Sequence, residues 1–211
     1  AGTRIIPLVI EEEKMQKACE VAGKEPIFRI LPYQKKKAGI VTTGSEVYYH
    51  RIEDKFTPVV IEKLKECGVT EVKQIQCNDD HEMITEAIQT LIEDGSDLIV
   101  CTGGMSVDPD DRTPLAIKNA CMEVVTYGAP VLPGAMFMLA YCEKEGRQIP
   151  VMGLPGCVMY AKRTIFDLVL PRIMCDEKLH EKDFRLLGQG GLCLSCPVCT
   201  FPNCGFGKGG Y

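Results

Sequence analysis

The sequence has no stretch that approaches 18 uninterrupted apolar residues, roughly the length that a membrane-spanning helix needs. Its apolar residues 5–10 are followed by three glutamates and lack the basic region and the cleavage site of a signal peptide. These absences predict a cytoplasmic protein with no membrane partner. An initial Met is also absent, so the start at Ala1-Gly2-Thr3 suggests a processed chain or a part of a longer one.

Positive charge is not concentrated anywhere in the chain. The longest basic run is Lys35-Lys36-Lys37, and the net charge is −5. Both facts argue against nucleic acid as the main partner. The chain also lacks the Walker A and GxGxxG spacings, which disfavours a standard NTPase or dinucleotide enzyme. Its three histidines, His50, His81 and His180, are far apart, so we expect surface residues rather than metal ligands.

Length and composition are those of a folded protein. With 211 residues, 45% hydrophobic and 25% charged, the chain can bury a core of one domain plus additional segments, or two small domains. Apolar runs of strand length alternate with segments of helical period, which predicts an α/β fold with a mostly parallel sheet. The predicted strands are 38–42, 71–76, 97–101, 136–141 and 149–152, the last two forming an antiparallel hairpin. The predicted helices cover about 56–67, 83–92 and 158–174.

Three segments are predicted along the chain. Residues 1–37 form a βαβ-like unit with strands at 5–10 and 26–32 around a helix at 11–22. Residues 38–180 form the main domain. Residues 181–211 form an irregular tail rich in Gly and Cys.

Three loops that contain glycine follow predicted strands. Because such loops line the ligand crevice of an open parallel sheet, they predict a phosphate-bearing ligand. Glycines that only turn the chain are the alternative. The candidate binding residues are Thr43, Gly44 and Ser45 in the first loop, Gly103, Gly104, Met105 and Ser106 in the second, and Gly153, Pro155, Gly156 and Cys157 in the third.

Acidic residues accumulate in the same connections. Carboxylates beside an anion site can hold Mg²⁺ against a phosphate or position water. Structural roles compete, since Asp79 and Glu82 have the spacing of a capping box, and we predict that Asp79 caps the following helix. Asp108 and Asp110 flank a proline and are candidates for plain turn residues.

These residues resemble a known family. Residues 102–114, Thr-Gly-Gly-Met-Ser-Val-Asp-Pro-Asp-Asp-Arg-Thr-Pro, resemble the Gly-Gly loop of the molybdopterin-binding domain, the superfamily of molybdopterin adenylyltransferase and molybdopterin molybdenumtransferase. The ending is similar to the former and the Gly-Gly-x-Ser-Val core to the latter. The resemblance covers about residues 38–174 in the family's order, through residues 42–46, 51–54, 79–80, 132–134 and 153–156.

The resemblance implies a three-layer, doubly wound domain that binds the pterin dithiolene phosphate, or its adenylate, across those loops. By position, Asp80 and Asp111 match the family's catalytic acids and Glu46 the acid of its first loop, and Asp54 belongs to the same set. Mg²⁺ and molybdate are the implied cofactor and co-substrate. The chain departs from the molybdenumtransferase pattern at Cys157-Val158, where that pattern has Asn-Pro, and at Ala135, where it has Lys. The nicotinamide-nucleotide amidase branch shares the first loop but continues differently after Thr-Gly-Gly.

Twelve cysteines fall into two groups. Eight are scattered through apolar segments and are predicted to be reduced core residues: Cys19, Cys67, Cys77, Cys101, Cys121, Cys142, Cys157 and Cys175. The other four, Cys193, Cys196, Cys199 and Cys204, have the spacing C-x2-C-x2-C-x4-C and predict a zinc or iron–sulfur site. Free thiols or disulfides in a flexible tail are the alternative.

Three functions remain open at this point. The first is an enzyme of molybdenum cofactor biosynthesis, of the molybdenumtransferase type. The second is a non-catalytic carrier that delivers molybdopterin to a molybdoenzyme, and the third is a metal–thiolate redox module. A homo-oligomer, a dimer or a trimer, is expected from the superfamily.

Overall fold

A computed structural model describes residues 9–26 and 28–209. The chain divides into two compact units, residues 1–32 and 33–211. In the first unit one helix, α1 (Glu12–Ala22), agrees with the predicted helix. The predicted strand at 26–32 is wrong, because residue 26 and residues 28–32 are irregular. The predicted strand at 5–10 falls mostly on residues outside those described. The predicted domain boundaries after residues 37 and 180 stay predictions.

The second unit is built on a six-stranded sheet. Its strands are β1 (Lys37–Thr43), β2 (Glu71–Cys77), β3 (Leu98–Thr102), β4 (Glu123–Tyr127), β5 (Met138–Lys144) and β6 (Arg147–Leu154). Their order is β2-β1-β3-β6-β5-β4. The first four in that order pair in parallel, and β5 pairs antiparallel with both β6 and β4. The predicted α/β fold with one antiparallel hairpin is therefore confirmed.

Helices cover both faces of this sheet. They are α2 (Ser45–Tyr48), α3 (Phe56–Glu66), α4 (His81–Glu93), α5 (Thr113–Ala120), α6 (Ile165–Met174) and α7 (Glu181–Leu186). One core contains α3, α6 and α7, and the other contains α4 and α5. Successive residues of β3 alternate between them, since Val100 belongs to the first core and Ile99 and Cys101 to the second. The doubly wound, three-layer arrangement follows. No helix in the described part of the chain is long and apolar enough to cross a membrane.

The predicted helix at 158–174 is wrong in its first half. A 3₁₀ turn at Gly156–Met159 is followed by irregular residues, and α6 begins only after Thr164. Thr164 and Asp167 form a capping box: the Asp167 carboxylate accepts from the Thr164 amide, and the Thr164 hydroxyl accepts from the Phe166 amide. These bonds satisfy amides that a longer helix would have used internally, so the helix starts there.

The scattered cysteines divide by environment. Cys67, Cys77 and Cys101 are buried free thiols, as expected, and burial raises the pKa of Cys77 to about 11, which keeps it protonated. Cys121 and Cys142 form a disulfide between the end of α5 and β5, so the prediction of reduced thiols is wrong for this pair. They are 21 residues apart in the sequence, and nothing there indicated that the end of α5 would lie beside β5. Three further expectations of burial are wrong, because Cys19 is exposed and Cys157 and Cys175 are half-buried.

A buried ion pair joins α3 to α6. The Lys63 ammonium lies 2.6 Å from Asp167 Oδ1, and their side chains are 9% and 2% exposed. Arg163 also donates to Asp167, at 2.8 Å. Because Asp167 serves the ion pair and the capping box together, one carboxylate fixes both the start of α6 and its packing on α3.

Asp167→Ala is expected to lower the free energy of unfolding by about 3 to 5 kcal/mol, because it leaves the Lys63 ammonium buried without its counter-charge. Denaturant unfolding followed by circular dichroism measures this. Lys73→Ala is the control, since the Lys73–Asp94 pair is half-exposed and is worth less than about 1 kcal/mol. Equal losses in the two variants would contradict a structural role for the buried pair.

Asp54 closes the connection between β1 and α3. Its Oδ1 accepts from the amides of Phe56 and Thr57, and its Oδ2 accepts from the Gln74 side chain, each at 3.0 Å. Partial burial by itself would raise the pKa of Asp54, but the hydrogen bonds from Thr57, Phe56 and Gln74 outweigh it and hold the pKa below its ordinary value. The carboxylate thus stabilises the first turn of α3 in its ionised form.

Asp54→Ala is expected to cost about 1 kcal/mol of stability at neutral pH, as a lost helix cap does. Because the pKa is lowered on folding from 3.8, the ionic part of this stabilisation is complete above that pH and is lost as the pH falls through the folded pKa. Urea unfolding at pH 7 and near pH 3 should show the difference between wild type and variant shrinking on acidification. The exposed neighbour Glu53, changed to Ala, is the control, and a pH-independent difference for Asp54→Ala would contradict the assignment.

Candidate functional site

The carboxyl ends of β1 and β3 form a topological switch point. From β1 the chain crosses through α3 on one face to β2, and from β2 it crosses back through α4 on the other face to β3. Loops that leave adjacent strands in opposite directions open a crevice between them. The first two predicted glycine loops start at these strand ends.

The two loops touch through their backbones. A Cβ on Gly103 would lie 2.3 Å from the Thr43 carbonyl oxygen, and one on Gly104 would lie 2.7 Å from Thr113 Oγ1. Both glycines have positive φ, +87° and +54°. Thr43 and Thr113 hydroxyls are 3.2 Å apart, and Thr113 also donates to the Gly103 carbonyl. Glycine is therefore required here by space and by backbone conformation together.

The acidic residues near these loops have structural partners. Asp111 Oδ2 accepts from the Ser106 amide at 2.5 Å and closes its own loop. Asp108 Oδ1 accepts from the Asp110 amide, which confirms the turn interpretation of Asp108. These bonds leave Asp111 half-buried beside the Gly-Gly turn.

The predicted capping residue of α4 is wrong by one position. Asp80 is the N-cap, and its Oδ1 accepts from the amides of Glu82 and Met83 at 2.8 and 3.1 Å. These two backbone hydrogen bonds hold the pKa of Asp80 below its ordinary value. Asp79 instead accepts from the Ser45 amide at 2.8 Å, because the helix begins one residue later than the capping-box spacing suggests. Asp79 thereby links the first loop to the end of β2.

Two other predicted site residues, Glu46 and Asp54, are not among the residues that contact the Gly-Gly turn. Glu46 is exposed on α2, and no described hydrogen bond joins its carboxylate to the other acids. Asp54 is bonded to the start of α3. The Ser45 amide donates to Asp79, so this first-loop candidate already has a hydrogen-bond partner.

The third loop meets the second. A Cβ on Gly153 would lie 2.6 Å from Met105 Cε, and Met105 is 3% exposed. Met105 thus packs its side chain against Gly153 of β6. Cys157 is half-buried just beyond, and burial raises the pKa of its thiol.

A mostly apolar cavity of about 480 Å³, which we name the ligand cleft, lies between the second and third loops. Its lining residues are Met105, Ser106, Val107, Leu132, Pro133, Gly134, Ala135, Met136, Pro155, Gly156, Cys157, Leu192 and Cys193. The structure therefore brings together Met105 and Ser106 with Pro155, Gly156 and Cys157. Thr43, Gly44 and Ser45 do not line it.

Sequence reasoning missed the opposite wall of the ligand cleft. Leu132 and Leu192 pair in a short parallel bridge, and they are 57% and 61% exposed. Val107, 81% exposed, projects from the second loop. In the sequence, Leu132 precedes a Pro-Gly pair and Leu192 follows a Gly-Gly pair. Nothing there indicated that the two segments meet.

The predicted metal sites are not preformed. In residues 9–26 and 28–209, no group of three or more His, Cys, Asp or Glu side chains is arranged to hold a metal ion. Of the acids expected at a magnesium site, Asp54, Asp80 and Asp111 accept from backbone amides, and Glu46 is exposed. Cys193, Cys196, Cys199 and Cys204 line a second cavity. His50 and His180 are exposed, and His81 is half-buried at the start of α4.

Solved structures share the fold. A putative molybdenum cofactor biosynthesis protein from Corynebacterium diphtheriae has a TM-score of 0.54 and 14% identity, covering 68% of this chain and 97% of that one. The tungsten cofactor synthesizing protein MoaB from Pyrococcus furiosus has a TM-score of 0.51 and 22% identity, covering 59% and 84%. At these identities the likeness concerns the fold, and it supports the predicted three-layer architecture.

Curated relatives match a shorter region. A CinA-like protein from Mycobacterium tuberculosis (strain ATCC 25618 / H37Rv) is 35% identical over 85 residues, which is 40% of this chain and 20% of that protein. One from Mycobacterium avium (strain 104) is 34% identical over 95 residues, or 45% and 22%. The chain thus spans about a fifth of the length of the curated relatives that it matches.

The family model described as a probable molybdopterin binding domain matches residues 39–174. That range contains all but the first two residues of β1, the other five strands, the three glycine loops and most of the ligand cleft's lining. It agrees with the range over which the sequence resembles this family. The chain belongs to the family of molybdopterin-binding domains.

Proposed function

We propose that this chain binds molybdopterin or its adenylate in the ligand cleft and acts in molybdenum cofactor biosynthesis. The observation that carries the proposal is the cleft's position: two glycine loops of a molybdopterin-binding domain bound an apolar cavity beside the switch point. A flat pterin ring suits apolar walls, and a phosphate suits amides exposed by glycine turns. Thr102 Oγ1, at the end of β3, is buried and without a hydrogen-bond partner among the described residues, so this strand end has polar capacity that the protein does not use.

The activity that we propose is of the molybdenumtransferase type, with molybdate as co-substrate. Mg²⁺ generally binds through one or two carboxylates together with substrate phosphates, so a set of acids that is not preformed suits an ion that arrives with the ligand. Asp111, beside the Gly-Gly turn, would share the ion with the phosphate. The ion would offset the phosphate's charge. Asp80 and Glu46 are the further acids of this proposal.

A non-catalytic carrier is the second candidate. The carboxylates of Asp80 and Asp111 accept hydrogen bonds from backbone amides, and this structural role explains their presence without catalysis. Ala135 and Cys157 both line the ligand cleft, at the positions where the chain departs from the molybdenumtransferase pattern. Delivery of bound molybdopterin to a molybdoenzyme would need only the cleft.

The test is an anaerobic titration with molybdopterin, followed by an assay with molybdopterin, ATP and molybdate. Saturable binding at one site per chain supports the proposal, and absence of binding overturns both candidates. Formation of molybdenum cofactor supports the enzyme, whereas binding without product supports the carrier. A homo-oligomeric state, a recipient molybdoenzyme and a cytoplasmic location stay predictions.

Gly156→Leu is expected to weaken molybdopterin binding at least tenfold without loss of stability. Gly156 lines the cleft, and a Cβ there meets no atom within 4 Å, so a longer side chain extends into free space at the cavity. Calorimetric titration and thermal unfolding measure the two effects. Gly205→Leu is a matched control, since a Cβ on Gly205 also meets nothing within 4 Å and Gly205 lies outside the ligand cleft. Unchanged molybdopterin affinity in Gly156→Leu would contradict binding in the ligand cleft.

Asp111→Asn and Asp80→Asn are expected to lower turnover at least tenfold and to leave molybdopterin affinity within about threefold. Asn keeps an acceptor for the Ser106 amide and remains a good N-cap for α4, so folding is retained while the negative charge is lost. Steady-state kinetics and thermal unfolding of the same samples measure this. Asp110→Asn, in the exposed part of the loop, is the control. A loss of stability that parallels the loss of activity would assign both carboxylates a structural role only.

A further inference from the structure

The C-terminal cysteines belong to a loop with fixed ends. The Gly207 amide donates to the Gly190 carbonyl at 2.7 Å, and this bond closes residues 190–207, which we name the cysteine loop. Phe206, at its far end, is 4% exposed and packs in the core that contains α6. A Cβ on Gly190 would lie within 2.5 Å of the Lys208 backbone nitrogen, so the two ends are in direct contact.

The cysteine loop is also held from the side. The Leu132 amide donates to the Gly191 carbonyl at 2.6 Å, and the Cys193 amide donates to the Leu132 carbonyl at 2.8 Å. The Arg163 guanidinium lies over the Phe201 ring, 5.2 Å from its centroid. A segment with these anchors is a built part of the domain rather than a loose tail.

All four cysteines of the loop line one cavity. Cys193, Cys196, Cys199 and Cys204 are free, and each lines a space of about 420 Å³. Cys193 and Cys204 are half-buried, and Cys196 and Cys199 are exposed. The charged residues that line the same cavity are Lys162 and Arg163, and no Asp or Glu is among its lining residues.

We propose that these four cysteines hold an iron–sulfur cluster. A single zinc ion bound at about 2.3 Å would need its thiolates almost in contact with one another, and no three of them are so arranged. In a cluster each thiolate binds a different iron atom, so the four cysteine sulfur atoms lie further apart than they would around one zinc ion. The cavity of about 420 Å³ has room for this arrangement. The run C-x2-C-x2-C is shared with bacterial ferredoxins. Four thiolates around a cluster leave a net negative charge, which Lys162 at the cavity would offset, whereas Arg163 is already paired with Glu66 and Asp167.

The cluster would lie against the ligand cleft. Cys193 lines both cavities, and its backbone bond to Leu132 forms part of the wall between them. The inference does not rest on the proposed function, because the cluster is measured without pterin. Failure to bind molybdopterin would leave it standing, and absence of a cluster would leave the proposed function standing.

The test uses the full chain, purified anaerobically and, in parallel, reconstituted with ferrous iron, sulfide and a thiol reductant. We expect equal amounts of iron and acid-labile sulfide, about four of each per chain for a [4Fe–4S] cluster, with visible absorption that bleaches on reduction by dithionite. The double variant Cys196→Ser/Cys199→Ser should lose at least nine-tenths of the iron. Both positions are exposed, so thermal unfolding of the variant without metal should match that of the metal-free wild type.

Cys19→Ser is the control, because Cys19 is an exposed free thiol outside the cysteine loop, and its iron content should equal that of the wild type. Less than one iron per chain after reconstitution would overturn the proposal. So would equal iron in the double variant, or one zinc per chain that iron and sulfide do not displace.

Discussion

The backbone contact between the Gly103-Gly104 turn and Thr43 is the constraint on which the site depends. It requires two positive φ angles and a space too small for a Cβ, so only glycine satisfies it. Thr113, the first residue of α5, bonds to the same turn, and the contact thereby fixes where α5 begins. Met105 then follows directly and packs beneath Gly153. One turn thus sets the spacing between β1, β3 and β6 where their loops emerge.

The acids around this turn hold the loops in shape before any ligand arrives. Asp79 ties the first loop to β2, Asp80 starts α4, and Asp111 closes the second loop, each through backbone amides. Hydrogen bonds from the Met83 and Glu82 amides to the ionised form hold the pKa of Asp80 below its ordinary value. A carboxylate held in this way has a fixed position. The catalytic role proposed for Asp80 and Asp111 would therefore use carboxylates whose positions the backbone amides already set.

The sequence allowed the parallel strands to be predicted because buried strands are apolar on both faces, as β1 and β3 are. Strand β4 was missed, since none of the residues of Glu123–Tyr127 is fully buried and the segment therefore lacks the apolar run of a central strand. The glycine loops were found from their position after strands. Asp79 was mistaken for the cap because only Asp79 has an acidic residue, Glu82, three positions on, whereas the actual cap Asp80 has Met83 at that position. The second wall of the ligand cleft could not be predicted, because it depends on the pairing of Leu132 with Leu192, about 60 residues apart in the chain. Such pairing follows from the packing of the whole domain.

That same pairing connects the cysteine loop to the ligand cleft. The bonds of Leu132 with Gly191 and Cys193 place a residue of the loop in the wall of each cavity. The family's matched region ends at residue 174, so Leu192 and Cys193 of this wall come from a segment beyond it, whereas residues 132–136 lie within it. A change in the conformation of residues 191–193 would therefore alter the shape of the cleft. The domain's core sets the glycine-loop side of the cleft, whereas the opposite side depends on how the C-terminal cysteines are held.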